Sequence, residues 1–179
     1  MSGLLDGKKI LVTGAARGIG FAIASSASKA GARVAINDLT AEMADKAVVS
    51  ITKSGGEACA APGDVSARGG ASEIVNQAAD ALGGLDGLVN NAGIVRFGTV
   101  ATTTDEDWDA TLTVNFSAVF QMCRAARAHL TESRGSIVNI ASIAADHPSV
   151  TVGSYSSAKA AVLSLTRQIA VDWGPLGIR

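Results

Sequence analysis

Apolar and polar positions follow two different rhythms along the chain. Short runs rich in β-branched and other apolar residues predict five strands, at 8–13, 33–38, 57–61, 86–91 and 136–142. Elsewhere apolar residues recur at three- and four-residue steps, which predicts helices at 18–30, 41–53, 67–82, 105–131 and 155–173. Apolar strands that alternate with helices are typical of an α/β fold with a parallel sheet, helices on both faces and right-handed crossovers.

The composition narrows the classes of function. With 179 residues, 47% of them hydrophobic and no repeat or linker, we expect a single domain over residues 1–179. The net charge of −1, without a basic stripe, disfavours nucleic acid and anionic membranes as partners. The sequence shows no signal-peptide pattern and no apolar run of membrane length, so we expect a cytoplasmic protein. Cys59 and Cys123 lie far apart, and no Cys/His cluster predicts a metal site.

A glycine-rich turn follows the first predicted strand. The stretch "TGAARGIG" (Thr13 to Gly20) leads directly into the first predicted helix. Glycines in such a turn let backbone N–H groups approach a pyrophosphate, which the positive end of the helix dipole then stabilises. The spacing of Gly14, Gly18 and Gly20 differs from the dinucleotide fingerprint GxGxxG. On this stretch alone, a tight connection without a ligand is an equally good interpretation.

Asp38 at the end of the second predicted strand favours the nucleotide interpretation. A carboxylate there would accept hydrogen bonds from an adenosine ribose and would repel a 2′-phosphate, so we predict NAD rather than NADP. A capping or turn role before the helix at 41–53 is the alternative for this residue. Arg17 keeps NADP possible, because its guanidinium could attract a phosphate.

Tyr155, the chain's single tyrosine, precedes Lys159 by four positions at the start of a predicted helix. The ordinary pKa values are about 10 for a phenol and about 10.4 for a lysine, so neither group exchanges protons readily at neutral pH. An ammonium ion about 5 Å from the phenol oxygen favours the phenolate by roughly 3 kcal/mol at an effective dielectric constant near 20. The pair therefore predicts a general acid/base. A solvated pair on a helix surface is the alternative.

Two further polar residues stand near this pair. Ser142 ends the fifth predicted strand, so it should lie with Tyr155 at the carboxyl edge of the sheet, where α/β proteins bind ligands. Its hydroxyl could bond a substrate oxygen, or it could be a loop or capping serine. Asn115 lies in the middle of the predicted helix 105–131, on or beside its apolar stripe. It is either a satisfied structural amide or a residue that bends the helix or holds a water.

In their order and spacing, these motifs resemble the short-chain dehydrogenase/reductase family. The resemblance covers essentially the whole chain, from "TGAARGIG" through "NNAG" (Asn90 to Gly93) to "YSSAK". It implies a Rossmann-type, doubly wound sheet with strand order 3-2-1-4-5. It also implies an NAD(P)-dependent oxidoreductase that interconverts a secondary alcohol and a ketone. The implied cofactor contacts are Gly14, Arg17, Gly18, Ile19, Gly20, Asp38, Asp64, Val65, Asn91, Ala92, Gly93, Tyr155 and Lys159.

The resemblance also assigns roles to four catalytic residues. Tyr155 would be the general acid/base, and Ser142 would position the substrate oxygen. Lys159 would favour the Tyr155 phenolate and hold the nicotinamide ribose. Asn115 would hold a water in a proton relay to Lys159.

The sequence departs from the family pattern at its C-terminus. Family members continue after "GIR" with strands six and seven, a Pro-Gly loop, a substrate lid and another helix, so we expect this chain to be part of a longer polypeptide. Two alternatives remain: an NADPH-dependent 3-oxoacyl-[acyl-carrier-protein] reductase, and a dinucleotide-binding fragment or sensor without catalysis. The resemblance further implies a homo-oligomer, a tetramer or dimer, formed through the helices at 105–131 and 155–173. The rim residues 143–150, Val95 and Arg96 do not identify the substrate.

Overall fold

A five-stranded parallel sheet forms the centre of the molecule. The computed structural model describes residues 3–179. The strands are β1 (Lys9–Val12), β2 (Arg33–Ile36), β3 (Glu57–Ala60), β4 (Gly87–Asn90) and β5 (Ser136–Asn139). They lie in the order β3-β2-β1-β4-β5, and every pair is parallel. This confirms the predicted doubly wound α/β fold with strand order 3-2-1-4-5.

Six α-helices connect and follow the strands. They are α1 (Gly18–Lys29), α2 (Ala41–Lys53), α3 (Gly70–Leu82), α4 (Asp105–Leu112), α5 (Ala118–Ser133) and α6 (Gly153–Trp173). The predicted helix over 105–131 is present, but it contains a π-helical segment, Thr113–Ser117, between α4 and α5, which the sequence did not predict. Helix α3 begins later than predicted. Its N-cap, Gly69, has the left-handed φ of 83°, which ends the preceding turn.

The central strands of the sheet, β1, β2 and β4, are buried on both faces, whereas Val138 of the edge strand β5 is half exposed. Neighbouring residues of a strand point to opposite faces, so Leu11 and Val12 of β1 belong to different cores. On one face, α1 and α2 pack over the sheet with buried residues such as Ala24 and Ile51. On the other face lie α3, α5 and α6, and Met122 is among their buried residues. Burial on both faces explains why the strands read as continuous apolar runs rather than as alternating ones.

A polar network runs from the buried Asn90 in the second core to the exposed Thr166. The side-chain Nδ2 of Asn90 donates to Asn139 Oδ1 at 2.8 Å and contacts Cys123 Sγ at 3.3 Å. Asn139 Nδ2 in turn donates to Thr166 Oγ1 at 2.9 Å. These contacts join β4, β5, α5 and α6, so the polar residues fix the relative positions of four elements that are otherwise held by apolar packing.

Two features are missing from residues 3–179, a membrane-spanning helix and a metal-binding cluster. No helix in this range is both long and apolar enough to cross a bilayer. The same residues contain no group of three His, Cys, Asp or Glu side chains close enough to hold a metal ion.

The buried thiol of Cys123 should be unreactive in the folded protein. Burial raises the pKa of Cys123 to about 12, and the bond from Asn90 opposes this only in part. At pH 8 the thiolate fraction of such a group is about 10⁻⁴, so Cys123 should resist alkylation in the folded protein and react only on unfolding. The rate of thiol labelling at pH 8, measured with and without denaturing urea, compares the reactivity of Cys123 in the unfolded and the folded protein. In a Cys59→Ser variant, which isolates Cys123, rapid labelling without urea would contradict the prediction.

Candidate active site

The carboxyl ends of the five strands bring the predicted site residues to one edge of the sheet. Because parallel strands all end at the same edge, the residues that follow them lie side by side. One predicted residue follows each strand in chain order, namely Gly14, Asp38, Asp64, Asn91 and Ser142.

The turn after β1 needs a glycine at each of three positions, for different physical reasons. Gly14 and Gly18 have φ values of 60° and 59°, which side-chain-bearing residues rarely adopt. Gly20 is buried, and a Cβ there would overlap the carbonyl oxygen of Gly14 and lie 2.5 Å from Asn91 Nδ2. A Cβ on Gly14 would lie 2.9 Å from the Cα of Ala92. The turn after β1 is thus packed directly against the loop after β4.

The N-terminus of α1 opens toward this turn. No side chain caps the helix at Arg17, and no acidic residue lies in its first turn. Arg17, Gly18 and Ile19 are exposed. Free N–H groups at the positive end of a helix dipole form a site for a phosphate group. The glycine turn and this uncapped end therefore fit a pyrophosphate.

Thr13 is a site residue that the sequence reasoning missed. Its hydroxyl oxygen accepts bonds from the backbone N–H groups of Asn91 and Ala92, each at 3.0 Å. In return, Asn91 Nδ2 donates to the carbonyl oxygens of Thr13 and Gly14, each at 3.0 Å. The loops after β1 and β4 are therefore tied together. The available signal was a buried polar residue that directly ends an apolar strand.

The carboxylate of Asp38 is fixed by backbone donors. Its Oδ2 accepts from the N–H of Ala16 at 3.0 Å, and its Oδ1 accepts from the N–H of Leu39 at 2.9 Å. Asp38 is half-buried, and each oxygen keeps a lone pair for another donor. The predicted turn role is thus present, and it leaves the carboxylate able to accept bonds from ribose hydroxyls.

The two residues predicted to contact the adenine lie after β3. Asp64 is exposed, and its Oδ1 accepts bonds from the backbone N–H and the hydroxyl of Ser66 at 2.8 and 2.6 Å. Val65 is buried, with 6% of its surface exposed. Only Asp64 therefore presents its side chain openly at the sheet edge.

Asn115 lies inside the π-helical segment and is completely buried. Its Oδ1 accepts from the backbone N–H of Ile94 at 3.0 Å, and its Nδ2 donates to the Ile94 carbonyl at 2.8 Å. A Cβ on Gly93 would lie 2.6 Å from this Oδ1, so the loop must carry glycine there. Asn115 is therefore a satisfied amide, and it lies at an irregular point of the helix.

Tyr155 and Lys159 come together on the first turns of α6. The ammonium of Lys159 donates to the carbonyl oxygen of Ile140, just beyond β5, at 2.7 Å. It also lies 5.7 Å from the centre of the Tyr155 ring. Only 3% of Lys159 is exposed, and this burial lowers its pKa. Tyr155 is half-buried, so its phenol is reachable from solvent.

Ser142 begins a 3₁₀ turn, Ile143–Ala145, and its Oγ accepts from the N–H of Ala144 at 3.1 Å. The capping alternative for this serine is therefore correct. Because its oxygen is the acceptor, the O–H hydrogen stays available as a donor. Among residues 3–179 no hydrogen bond joins Ser142 to Tyr155, so the two groups are separate at this edge.

Comparison with known proteins identifies the family. The sequence matches the family model described as short chain dehydrogenase over residues 8–179. The chain belongs to the short-chain dehydrogenase family. On this basis it is an oxidoreductase by family, as the motifs implied.

Similar proteins in this family carry several different names. The chain is 37% identical to 2-(S)-hydroxypropyl-CoM dehydrogenase 3 of Xanthobacter autotrophicus, and the match covers 100% of this chain and 71% of that protein. It is 36% identical to a 3-oxoacyl-[acyl-carrier-protein] reductase of Chlamydia pneumoniae, over 98% of this chain and 71% of the relative. A crystal structure of a short chain dehydrogenase from Burkholderia cenocepacia in complex with NADP superposes with a TM-score of 0.91. The sequence of that protein is 43% identical to this chain, and the match covers 97% of this chain and 71% of the Burkholderia protein.

These matches also set the extent of the similarity. The short-chain dehydrogenase described here spans 66–71% of the length of the curated relatives that it matches. The names of those relatives differ in substrate, so the family resemblance gives the reaction type and not the molecule.

Two glycines of the turn should respond very differently to alanine. Gly20→Ala places a methyl group against the Gly14 carbonyl and should lower the free energy of unfolding by about 3 kcal/mol, despite the better helix propensity of alanine. Gly18→Ala meets no atom within 4 Å and should lower it by about 1 kcal/mol, through its positive φ alone. Urea unfolding of the two variants checks this order. Equal losses would show that the contact with Gly14 does not limit the size of residue 20.

Proposed function

We propose that this protein transfers a hydride between a secondary alcohol or ketone and NAD(P), with Tyr155 as the general acid/base. The observation that carries the proposal is the buried Lys159 ammonium, held by the Ile140 carbonyl and 5.7 Å from the centre of the Tyr155 ring. A positive charge kept this close in a poorly solvated position interacts with the Tyr155 side chain more strongly than an exposed lysine would. Tyr155 can then accept a proton from an alcohol or return it to a carbonyl oxygen.

The proposed roles follow from the groups that are free at the sheet edge. In the oxidation direction, the phenolate oxygen of Tyr155 takes the hydroxyl proton of the alcohol while the Ser142 O–H donates a hydrogen bond to the same oxygen. In the reduction direction, Tyr155 returns the proton and Ser142 stabilises the developing negative charge on the carbonyl oxygen. When bound, the nicotinamide supplies the hydride acceptor or donor.

Asn115 acts through the loop after β4 in this proposal. Both polar atoms of its side chain bond to Ile94, so its first role is to hold that loop beside α6. The water-mediated proton relay from Asn115 to Lys159 stays a prediction. The Lys159 ammonium has hydrogens besides the one given to Ile140, and these can bond a water or a ribose hydroxyl.

For the cofactor, we propose NAD as the preferred dinucleotide. The pyrophosphate would lie on the glycine turn and the uncapped N-terminus of α1, and the adenosine ribose would bond to Asp38. Asp64 and Val65 would lie at the adenine, and Ala92 and Gly93 along the nicotinamide half. The NADP found with the Burkholderia cenocepacia relative and the exposed Arg17 support the opposite preference, which makes the choice a matter for measurement.

The wider expectations remain proposals of the same kind. Residues 1–179 would form one dinucleotide-binding domain of a cytoplasmic protein that binds neither nucleic acid nor membranes. Exposed apolar side chains on the outer helices, Phe120 on α5 and Val171 on α6, support a homo-oligomer formed through these helices. The 3-oxoacyl reductase named among the relatives is the second candidate function, and it requires NADPH where Asp38 favours NAD.

Removal of the phenol oxygen tests the role of Tyr155. In the complete protein, a screen of secondary alcohols with NAD and NADP first provides a substrate. Tyr155→Phe should then lower kcat by about 10²- to 10⁴-fold, because no group remains to exchange the proton, while cofactor binding measured by calorimetry persists. Ser164→Ala, at an exposed position further along the same helix, is the matched control and should keep its activity. A Tyr155→Phe variant with the wild-type rate would refute the assigned role and favour a sensor without catalysis.

The cofactor preference tests the role of Asp38. NAD should bind at least about tenfold more tightly than NADP, since the carboxylate repels a 2′-phosphate. Asp38→Asn keeps the shape of the side chain but removes its negative charge, so it should reduce the preference for NAD over NADP. Arg17→Gln is the opposite control and should weaken only the binding of NADP. A clear preference of the unaltered protein for NADP would overturn the proposal for Asp38 and leave that for Tyr155 untouched.

A further inference from the structure

A backbone bridge outside the five-stranded sheet connects the loop after β4 to the start of α6. The N–H of Gly98 donates to the carbonyl oxygen of Thr151 at 2.7 Å, and the N–H of Gly153 donates to the carbonyl oxygen of Gly98 at 3.4 Å. These bonds form an isolated parallel bridge between Gly98 and Val152. The bridge therefore reaches α6 within three residues of Tyr155.

Thr151 is held in an unfavourable backbone conformation at this bridge. Its φ is +71°, and the only other non-glycine residue with a positive φ among residues 3–179 is Arg134. Arg134 is the C-cap of α5, a place where left-handed residues are common. Thr151 has no such explanation, and a β-branched residue is especially strained there. Such strain persists only where surrounding contacts fix it, and it concentrates at functional sites.

Helix α6 depends on this bridge because its N-terminus has no side-chain cap. Val152 is the N-cap residue, and the N–H of Ser156 donates to its carbonyl oxygen at 2.8 Å. Tyr155 is the third residue of the helix, within the turn that frays most readily. On its other side, the same turn has a long bond of 3.5 Å between the buried hydroxyls of Ser154 and Thr111.

At the other end of the bridge, a side chain on residue 98 would clash with its neighbours, so glycine is required there. A Cβ on Gly98 would lie 2.7 Å from Thr103 Oγ1 and 3.3 Å from the Thr103 backbone. Thr103 cannot move away easily, since its hydroxyl and its N–H both bond to the Thr99 carbonyl, at 2.8 and 2.9 Å. Any side chain at position 98 would therefore displace the bridge rather than the neighbouring turn.

We propose that Gly98 and Thr151 are positioning residues for Tyr155. The bridge sets where α6 begins, and so it sets the direction of the phenol relative to the loop that Asn115 holds through Ile94. This inference rests on the proposed role of Tyr155 as the acid/base. Neither Gly98 nor Thr151 touches the reacting atoms, so their effect should appear in kcat and not in cofactor binding.

The first test displaces the bridge and then relieves the contact that displaces it. Gly98→Ala in the complete protein should lower kcat by about 10- to 100-fold, the scale expected of a misplaced catalytic group, with the Kd for NAD unchanged. Adding Thr103→Ala removes the hydroxyl at 2.7 Å and should restore most of kcat, whereas adding Thr103→Ser keeps that oxygen and should not. A loss of kcat that both double variants share equally would overturn the proposal.

A second pair of variants keeps the test decisive if Gly98→Ala does not fold. Thr151 is exposed, and within residues 3–179 its N–H donates no backbone bond. Thr151→Pro fixes φ near −65°, which is incompatible with the bridge, and should lower kcat by a similar factor of about 10 to 100. Thr151→Gly permits the positive φ without strain and should keep kcat. Equal kcat values in these two variants would refute the proposal.

The outcome for Tyr155→Phe separates this inference from the proposed function. If Tyr155→Phe loses activity while Gly98→Ala and Thr151→Pro keep the wild-type kcat, the positioning role is wrong and the acid/base role stands. If Tyr155→Phe also keeps the wild-type kcat, both proposals fall together.

Discussion

The hydrogen bonds between Thr13 and Asn91 fix the centre of the carboxyl edge, and the rest of the site is arranged around them. They join the two strands, β1 and β4, at which the sheet changes its direction of winding. The side chains of these two residues satisfy four backbone groups, namely the N–H groups of Asn91 and Ala92 and the carbonyl oxygens of Thr13 and Gly14. The close packing of Gly14 on Ala92 is possible only because that exchange holds both loops at this distance. The proposed nucleotide site therefore depends on both loops together.

Lys159 illustrates how the same edge combines stability and chemistry. A buried ammonium is unfavourable to folding, and the lowered pKa of Lys159 reports that penalty. The Ile140 carbonyl offsets part of it through one charge-assisted bond. The remaining stability comes from the two apolar cores, which bury the central strands of the sheet on both faces. A well-packed scaffold thus tolerates a charge that a small or loose one would expel.

Much of this arrangement could be predicted from the sequence, because it depends on local patterns. The strands, the helices and their succession along the chain follow from the periods of apolar residues. The pairing of Tyr155 with Lys159 follows from helical spacing. What could not be predicted depends on contacts between distant residues. The interruption at Thr113–Ser117 accompanies the bonds of Asn115 to Ile94, which lies 21 positions earlier. The strained Thr151 depends in the same way on Gly98. Neither leaves a periodic trace in the chain.

The contact of Gly14 with Ala92 has a consequence for how this family can diversify. The floor formed by the two central loops is locked by backbone contacts, so mutations there disturb packing whatever the side chain. The rim residues Val95, Ile143 and Val150 are exposed and take no part in those contacts. Change at the rim is therefore uncoupled from the floor, and one inherited dinucleotide frame can accept new specificities by replacing only its border.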